Sequence, residues 1–455
     1  MRATRVPRLI VQPLTRPLSG SVPVPADKSI SHRALIMAAV ANGCSELRGF
    51  SYGEDNVATQ RAFAQMGVRI EDDACGTLRV HGVGLDGLAA PDAQIDCGNS
   101  GTTMRLLSGL LAGQAFASRL VGDASLSRRP MSRIVRPLME RGAVIAGQPR
   151  QGGGDEVTAP LEIGPLPPGR RLAALEYQLP VASAQVKSAL LLSGLWASGP
   201  TLLREPLVSR DHTERMFDAL GIPVETAGPV VKLHPPADPK SIAAFVVDLP
   251  GDLSAAAFLL AAGLMVEGSV VTTRGTGVNP TRSGFVEIVK RLGGELAIAP
   301  RGESLGEPRA EITARSTALR GASIGGELAL RAIDEIPICA ALAARTSGCT
   351  RFFDVAELRV KESDRIEAIV TLLRAFGADA SEHEAGFTLE GRPNQQLAAA
   401  RVDSHGDHRI AMTAAVLGLV ADGPTVVEDV ACIGTSFPRF VGTLRALGAE
   451  VEVES

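Results

Sequence analysis

The chain has 455 residues, a formal net charge of −4, 45% hydrophobic residues and only 4% aromatics. That length exceeds what one ordinary core supports, so two or more domains are expected, and the apolar content excludes a disordered chain. The mildly acidic balance argues against a nucleic-acid binder, and six cysteines scattered with no CxxC pair offer no zinc framework and read as reduced thiols.

The N-terminal stretch mixes Arg2, Arg5 and Arg8 with Pro7, Pro13 and Pro17. It has no uninterrupted apolar segment, so no secretory signal is expected. Later apolar runs are broken by Gly or charge before membrane-spanning length. The expectation is a cytoplasmic protein with no membrane segment.

Next comes a strand-like run, Gly20–Val24, then Pro25-Ala-Asp-Lys-Ser-Ile-Ser-His-Arg33, then an apolar run, Ala34–Val40. This is the pattern of strand, turn and helix start, with Asp27 and Ser29 both suited to cap the helix. Lys28 places a positive charge where the helix dipole favours a negative one. An ordinary capped helix with a solvated lysine explains the stretch. So does an anion held by Lys28, Ser29, backbone N–H groups and Arg33, one turn on.

Repeats follow. Six times a helix-ending phrase closes on a glycine followed by a strand: at Gly67, Gly142, Gly221, Gly293, Gly377 and Gly448. These glycines lie roughly 70–85 residues apart, longer than solenoid periods, and each reads as a left-handed residue just past a helix end. Six opening phrases precede them: Asp27-Lys-Ser-Ile-Ser, Gly98-Asn-Ser-Gly-Thr-Thr, Ala182-Ser-Ala-Gln-Val-Lys, Gly251-Asp-Leu-Ser-Ala-Ala, Ile333-Asp-Glu-Ile-Pro and His405-Gly-Asp-His-Arg. The helices they feed, such as Lys187–Leu195 and Ser254–Leu264, are apolar nearly all round and so are expected to be buried. More amphipathic helices, such as Asn56–Met66, end at the repeat glycines. Six units suggest two domains of three, with crossings near Leu18–Ser21 and in Pro235–Phe245. The Gly152-Gly-Gly-Asp155 run reads as a hairpin loop; no Gly-Lys-Ser/Thr follows it, which excludes a P-loop.

Polar residues of possible chemical use gather at the opening turns and the loops beside them: Arg129, Arg210, Lys361, Glu362, Arg365 and Arg409. Each alone is equally a surface ion-pair partner. As a set in an acidic chain they suggest a cationic well for phosphate or carboxylate. On a helix, Lys361 and Arg365 would share a face, with Glu362 about 100° away. Asp334 sits between Ala332-Ile333 and Ile336-Pro337-Ile338 at a helix start, where it is either an N-cap or a carboxylate tuned as a base. His212 and His408 lack metal-ligand spacing, and neither a metal nor a cofactor is expected.

Together Pro25–Arg33, Gly98-Asn-Ser-Gly-Thr-Thr-Met-Arg105, Arg129-Pro130, Leu358-Arg-Val-Lys-Glu-Ser-Asp-Arg365 and Asp407-His-Arg409 resemble the 5-enolpyruvylshikimate-3-phosphate synthase family, from about Leu18 to Pro438. The resemblance implies an α/β (α+β) fold of two similar domains. Each has three βαβαββ repeats with buried parallel helices, as in an inside-out α/β barrel. Residues 1–20 and 241–455 would form domain I and residues 21–240 domain II, with the active site in the cleft between them. It implies transfer of the enolpyruvyl group of phosphoenolpyruvate to the 5-hydroxyl of shikimate 3-phosphate, releasing phosphate, in aromatic amino-acid biosynthesis.

Carried over by position, Lys28, Ser29, Arg33, Ser183, Gln185, Ser209, Arg210, Asp334 and Lys361 would bind shikimate 3-phosphate. Lys28, Gly101, Arg129, Gln185, Arg365 and Arg409 would bind phosphoenolpyruvate. Asp334 would take the hydroxyl proton, Glu362 would protonate the methylene carbon, and Lys28 would stabilise the shifting charge. The family works as this kind of enzyme without a cofactor, and the chain is expected to be a monomer. It is also expected to bind the inhibitor glyphosate in the phosphoenolpyruvate site, where Gly101 leaves room. Three positions depart from the pattern: Ala184 replaces a second serine, Glu357 an asparagine, and Thr435 a lysine near the phosphate. Two alternatives are an enolpyruvyl transferase acting on UDP-N-acetylglucosamine and a non-catalytic repeat scaffold. Against the former, Lys28 is followed by Ser29 rather than asparagine, and Gly122–Pro130 has no cysteine.

Overall fold

The computed structural model describes residues 7–73, 76–150, 152, 154–238, 240–393 and 396–454. The readings that involved Arg2, Arg5, Cys75, Gly153 and Pro239 lie outside the described residues. Six buried helices organise the chain: α1 (Lys28–Ala39), α2 (Gly101–Leu111), α3 (Ala184–Gly194), α4 (Leu253–Met265), α5 (Ile336–Ala343) and α6 (His408–Gly418). Each begins at one of the opening phrases. Every residue of α4 and α5 is buried, because neither carries a polar stripe to turn towards water.

The third repeat shows the plan. Strands Leu175–Gln178 and Thr201–Arg204 pair in parallel, and α3 supplies the crossover that parallel pairing requires. Helix His212–Ala219 then leads to the hairpin Val224–Ala227 and Val230–Leu233, whose second strand pairs antiparallel with Thr201–Arg204. The order along the chain is therefore β-α-β-α-β-β, as expected. Six sheets of this kind are present among the described residues, five of four strands and one of five. The repeat glycines all adopt left-handed conformations, with φ from 73° at Gly221 to 104° at Gly448. Only glycine takes that conformation without a Cβ clash. Strands Ile145–Pro149 and Val157–Ile163 pair antiparallel on either side of the expected hairpin loop.

The chain divides into two compact units. One comprises Met1–Pro25, Pro250–Gly302 and Pro308–Ser455; the other comprises Ala26–Leu249 and Glu303–Glu307. Each unit has its own apolar core, formed around α4, α5 and α6 in the first and α1, α2 and α3 in the second. The division differs from the expected boundaries at 20/21 and 240/241. Strand Ser19–Pro23 pairs in parallel with Val270–Gly277 and so belongs to the first unit. Strand Val246–Asp248 pairs in parallel with Asn42–Arg48 and so belongs to the second. Each crossing comes after a strand rather than before it, so the strand that precedes α1 in the chain completes the sheet of the fourth repeat. Likewise the N-terminal strand Arg8–Val11 completes the sixth, antiparallel to both Thr425–Glu428 and Val451–Glu454.

Candidate active site

In the second unit, hydrogen bonds tie together the opening turns of three repeats. Asp27 caps α1, accepting from the Ile30 N–H at 2.9 Å, which leaves Lys28 as the first helical residue. The Lys28 ammonium donates to the Asp55 carboxylate at 2.9 Å, and the Asp55 carbonyl accepts from the Thr103 hydroxyl of the second opening at 3.2 Å. Arg33 is buried. Its Nη1 donates to the Ser29 carbonyl at 2.9 Å and its Nη2 reaches Gln185 Oε1 of the third opening at 3.4 Å. It also donates to Ser188 Oγ at 2.6 Å and Thr213 Oγ1 at 2.7 Å. Burial lowers the Arg33 pKa to about 10, against the opposing pull of Glu214 and Asp27. Gln185 closes the ring by donating to Thr102 Oγ1 at 2.8 Å.

Gly101 is the first residue of α2, under the Ser100 cap. A Cβ there would lie 2.7 Å from Arg105 Nη1 and 3.2 Å from Arg129 Nη1, so both guanidinium groups lie close over this glycine. Arg129 is held by Asn99 Oδ1 at 2.6 Å. Ser183 is the N-cap residue of α3, and its side chain makes no capping bond. Ser29 and Arg210 are half-buried, whereas Ser209 is buried and its hydroxyl donates to Glu205 at 2.5 Å. Arg105, Asp55, Asn99 and Thr102 were not singled out from the sequence. Arg105 and the Asn99 and Thr102 neighbours of Gly101 stand within a quoted motif, but Asp55 belongs to a different helix, Glu54–Gln65, and no spacing connects it to Lys28.

The first unit gathers its cluster in the same way. The Ser254 hydroxyl of the fourth opening hydrogen-bonds to Glu335 of the fifth, and Arg409 Nη1 of the sixth donates to the Asp334 carbonyl at 2.9 Å. Arg365 is almost wholly buried and faces three carboxylates. Its guanidinium contacts Asp407 at 2.8 Å, Glu362 at 2.5 Å and Asp334 at 3.5 Å. Burial by itself would lower the Arg365 pKa, but Asp407 and Glu362 outweigh it and raise the pKa. Burial likewise favours protonation of Asp407, but the Arg365 charge holds it below the ordinary carboxylate value. Lys361 stands somewhat apart, 3.9 Å from Glu357. Burial lowers its pKa against the counter-pull of Asp334.

Two local expectations fail here. Asp334 is not an N-cap: it lies in the turn between helix Gly326–Arg331 and α5, whose N-cap residue is Glu335. Lys361 and Arg365 do not share a helix face either. Lys361 ends a 3-10 turn, Ala356–Val360, and Arg365 begins a new helix capped by Asp364, which accepts from the Ile366 and Glu367 N–H groups. The break turns Glu362 onto Arg365 instead of away from it. His212 and His408 are both buried first residues of helices. Among the described residues, no three His, Cys, Asp or Glu are grouped to hold a metal ion, and no helix is long and apolar enough to cross a membrane.

Six α/β repeats whose openings gather Lys28, Arg33, Arg129, Arg365 and Arg409, with carboxylates beside them in both units, define an enzyme suited to small anionic substrates. A family model described as EPSP synthase (3-phosphoshikimate 1-carboxyvinyltransferase) matches residues 13–444. The 3-phosphoshikimate 1-carboxyvinyltransferase of Geobacter metallireducens is 49% identical over 434 residues, which is 95% of this chain and 97% of that one. That of Acidithiobacillus ferrooxidans is 47% identical over 448 residues, covering 98% and 99%. The solved EPSP synthase from Acinetobacter baumannii matches with a TM-score of 0.87 at 40% identity, covering 99% of this chain and 100% of that one. The enolpyruvyl transferase NikO from Streptomyces tendae, at a TM-score of 0.76 and 18% identity, shares the fold. The chain belongs to the EPSP synthase family. It is accordingly a transferase of the shikimate pathway, in aromatic amino-acid biosynthesis, and the nucleotide-sugar and scaffold alternatives are not favoured.

Proposed function

We propose that the chain moves the enolpyruvyl group of phosphoenolpyruvate onto the 5-hydroxyl of shikimate 3-phosphate. The observation that carries this reading is the bonding of three helix-opening turns into one cluster within each unit, which concentrates cations in an otherwise acidic chain. In the second unit, Lys28, Ser29, Arg33, Ser183, Gln185 and Arg210 bind shikimate 3-phosphate, with Ser209 in support. Lys28, Gly101, Gln185 and Arg129 receive phosphoenolpyruvate. In the first unit, Asp334 and Lys361 address the shikimate ring hydroxyls, and Arg365 and Arg409 the phosphoenolpyruvate anion. Guanidinium groups suit both anions because they bond in bidentate fashion.

Asp334 takes the 5-hydroxyl proton as that oxygen bonds to C2 of phosphoenolpyruvate, and Glu362 delivers a proton to the methylene carbon. The tetrahedral adduct then loses a methyl proton and phosphate, restoring the double bond. Lys28 stabilises the charge that moves onto the leaving phosphate. Glyphosate competes at the phosphoenolpyruvate site, and the enzyme works as a cytoplasmic monomer without a cofactor.

Asp334→Ala tests the assignment. A general base is worth about 10²–10⁴ in rate, so turnover should fall by that range while both substrates still protect the enzyme from thermal unfolding. Turnover within about tenfold of the parent would remove Asp334 from that role.

A further inference from the structure

Lys187 lies on α3, two residues beyond Gln185, and no step of the proposed reaction uses it. Its side chain is 1% exposed, and the two carboxylates it meets, Glu205 and Glu214, are 1% and 4% exposed. The ammonium is 2.7 Å from each of them. A third bond goes to the Ser209 carbonyl at 3.4 Å. Glu205 in turn accepts from the Ser209 hydroxyl at 2.5 Å and from the Ser209 N–H at 3.3 Å. One buried cation therefore joins α3, the segment 205–211 and the first turn of helix His212–Ala219. Burial acts to discharge the lysine, but Glu214 and Glu205 outweigh it and raise its pKa, while burial pushes Glu214 above the ordinary carboxylate value against the pull of Lys187.

Two proposed partners of shikimate 3-phosphate hang on this brace. Arg210 follows Ser209, whose backbone is pinned on both sides of its α-carbon. Thr213, which precedes Glu214, accepts from Arg33 Nε at 2.7 Å and donates to Ser188 Oγ at 2.7 Å. A buried ion pair is weak evidence for stability, since apolar residues of similar volume often serve as well. Its retention needs another reason, and the elements it joins supply one.

We propose that Lys187, held between Glu205 and Glu214, is a positioning residue that sets the Arg210 loop and Arg33 for the phosphate of shikimate 3-phosphate. The inference rests on the proposed role of Arg210. Lys187 touches no substrate; it fixes the backbone from which the phosphate ligands project. Of the phosphoenolpyruvate partners, Gly101 and Arg129 make no contact with this brace and Gln185 meets it only through Arg33, at 3.4 Å, so shikimate 3-phosphate should respond more strongly.

The test is the double variant Lys187→Met/Glu214→Leu, which replaces a buried cation and one of its anions with apolar side chains. KM for each substrate, kcat and the melting temperature are measured beside Arg210→Ala. The expected result is a KM for shikimate 3-phosphate raised tenfold or more. KM for phosphoenolpyruvate and kcat should stay within about threefold, while melting should fall because Glu205 is left buried without its cation. An unchanged KM for shikimate 3-phosphate in the double variant, or a parallel rise for both substrates, would overturn the proposal. Should the double variant not fold, Glu205→Gln carries the test on the Arg210 side alone, because it keeps the side-chain shape, removes the charge that holds Ser209 and leaves Lys187 paired with Glu214. If Arg210→Ala leaves the KM for shikimate 3-phosphate unaltered, the reading beneath the inference fails. If Arg210→Ala raises that KM and the brace variants do not, the inference alone fails.

Discussion

Lys28 is a poor choice for the first turn of a helix, where the dipole favours anions. Asp55 balances it at 2.9 Å, so the structure removes the local cost without removing the charge. That misfit was legible from sequence because it violates a local rule. Asp55 was not, because the pair joins two helices that no periodicity relates. Asp334 and Glu362 show the opposite case. Their sequence setting, polar residues in apolar or basic company, drew attention to them, but their local geometry was misread. The Asp364 cap interrupts what the Lys-Glu-Ser-Asp-Arg string suggests is one helix. Gly101 gives a residue-scale prediction. In Gly101→Ala the methyl group would crowd Arg105 Nη1 and Arg129 Nη1, the ends of flexible side chains, so the protein should fold while both guanidiniums shift. KM for phosphoenolpyruvate should rise severalfold and glyphosate inhibition should weaken, as steady-state assays with and without glyphosate would show. Unchanged values for both would separate Gly101 from that site.

At the scale of elements, the repeat glycines were readable because six of them recur in the same phrase, and a left-handed residue past a helix end needs no knowledge of its neighbours. Gly109 carries no such signal. It lies inside α2, where glycine lowers helix propensity, and its reason is visible only in three dimensions. A Cβ at Gly109 would lie 2.0 Å from the Ala189 carbonyl oxygen on α3, so the two helices owe their close approach to it. The two kinds of glycine should respond differently to alanine. At Gly221, φ is +73° and nothing lies within 4 Å of an added Cβ, so Gly221→Ala should lose only the left-handed backbone cost, about 1 kcal/mol. Gly109→Ala must push two helix backbones apart and should lose more, on the order of 3 kcal/mol. Urea unfolding of both variants measures this, and equal losses would contradict the packing role given to Gly109.

At the scale of the whole molecule, the sequence carries six repeats but hides how the chain closes them. The first strand of the first repeat, Val246–Asp248, lies some two hundred residues after α1, and strand Ser19–Pro23 serves the fourth repeat. No local pattern distinguishes a strand that stays with its unit from one left behind at a crossing; only the hydrogen-bond register does. The distribution of charge was more legible. A chain of net charge −4 places Lys28 and Arg409 in the first turns of buried helices and Arg105 and Arg129 over a third helix start at Gly101, where backbone N–H groups already favour anions. This arrangement suits two anionic substrates, one of them the acceptor shikimate 3-phosphate. The most direct measurement is therefore phosphate release from phosphoenolpyruvate by the purified protein, supplied in turn with shikimate 3-phosphate and with UDP-N-acetylglucosamine. Release with shikimate 3-phosphate alone is the expected result; release with the nucleotide sugar, or with neither acceptor, would contradict it.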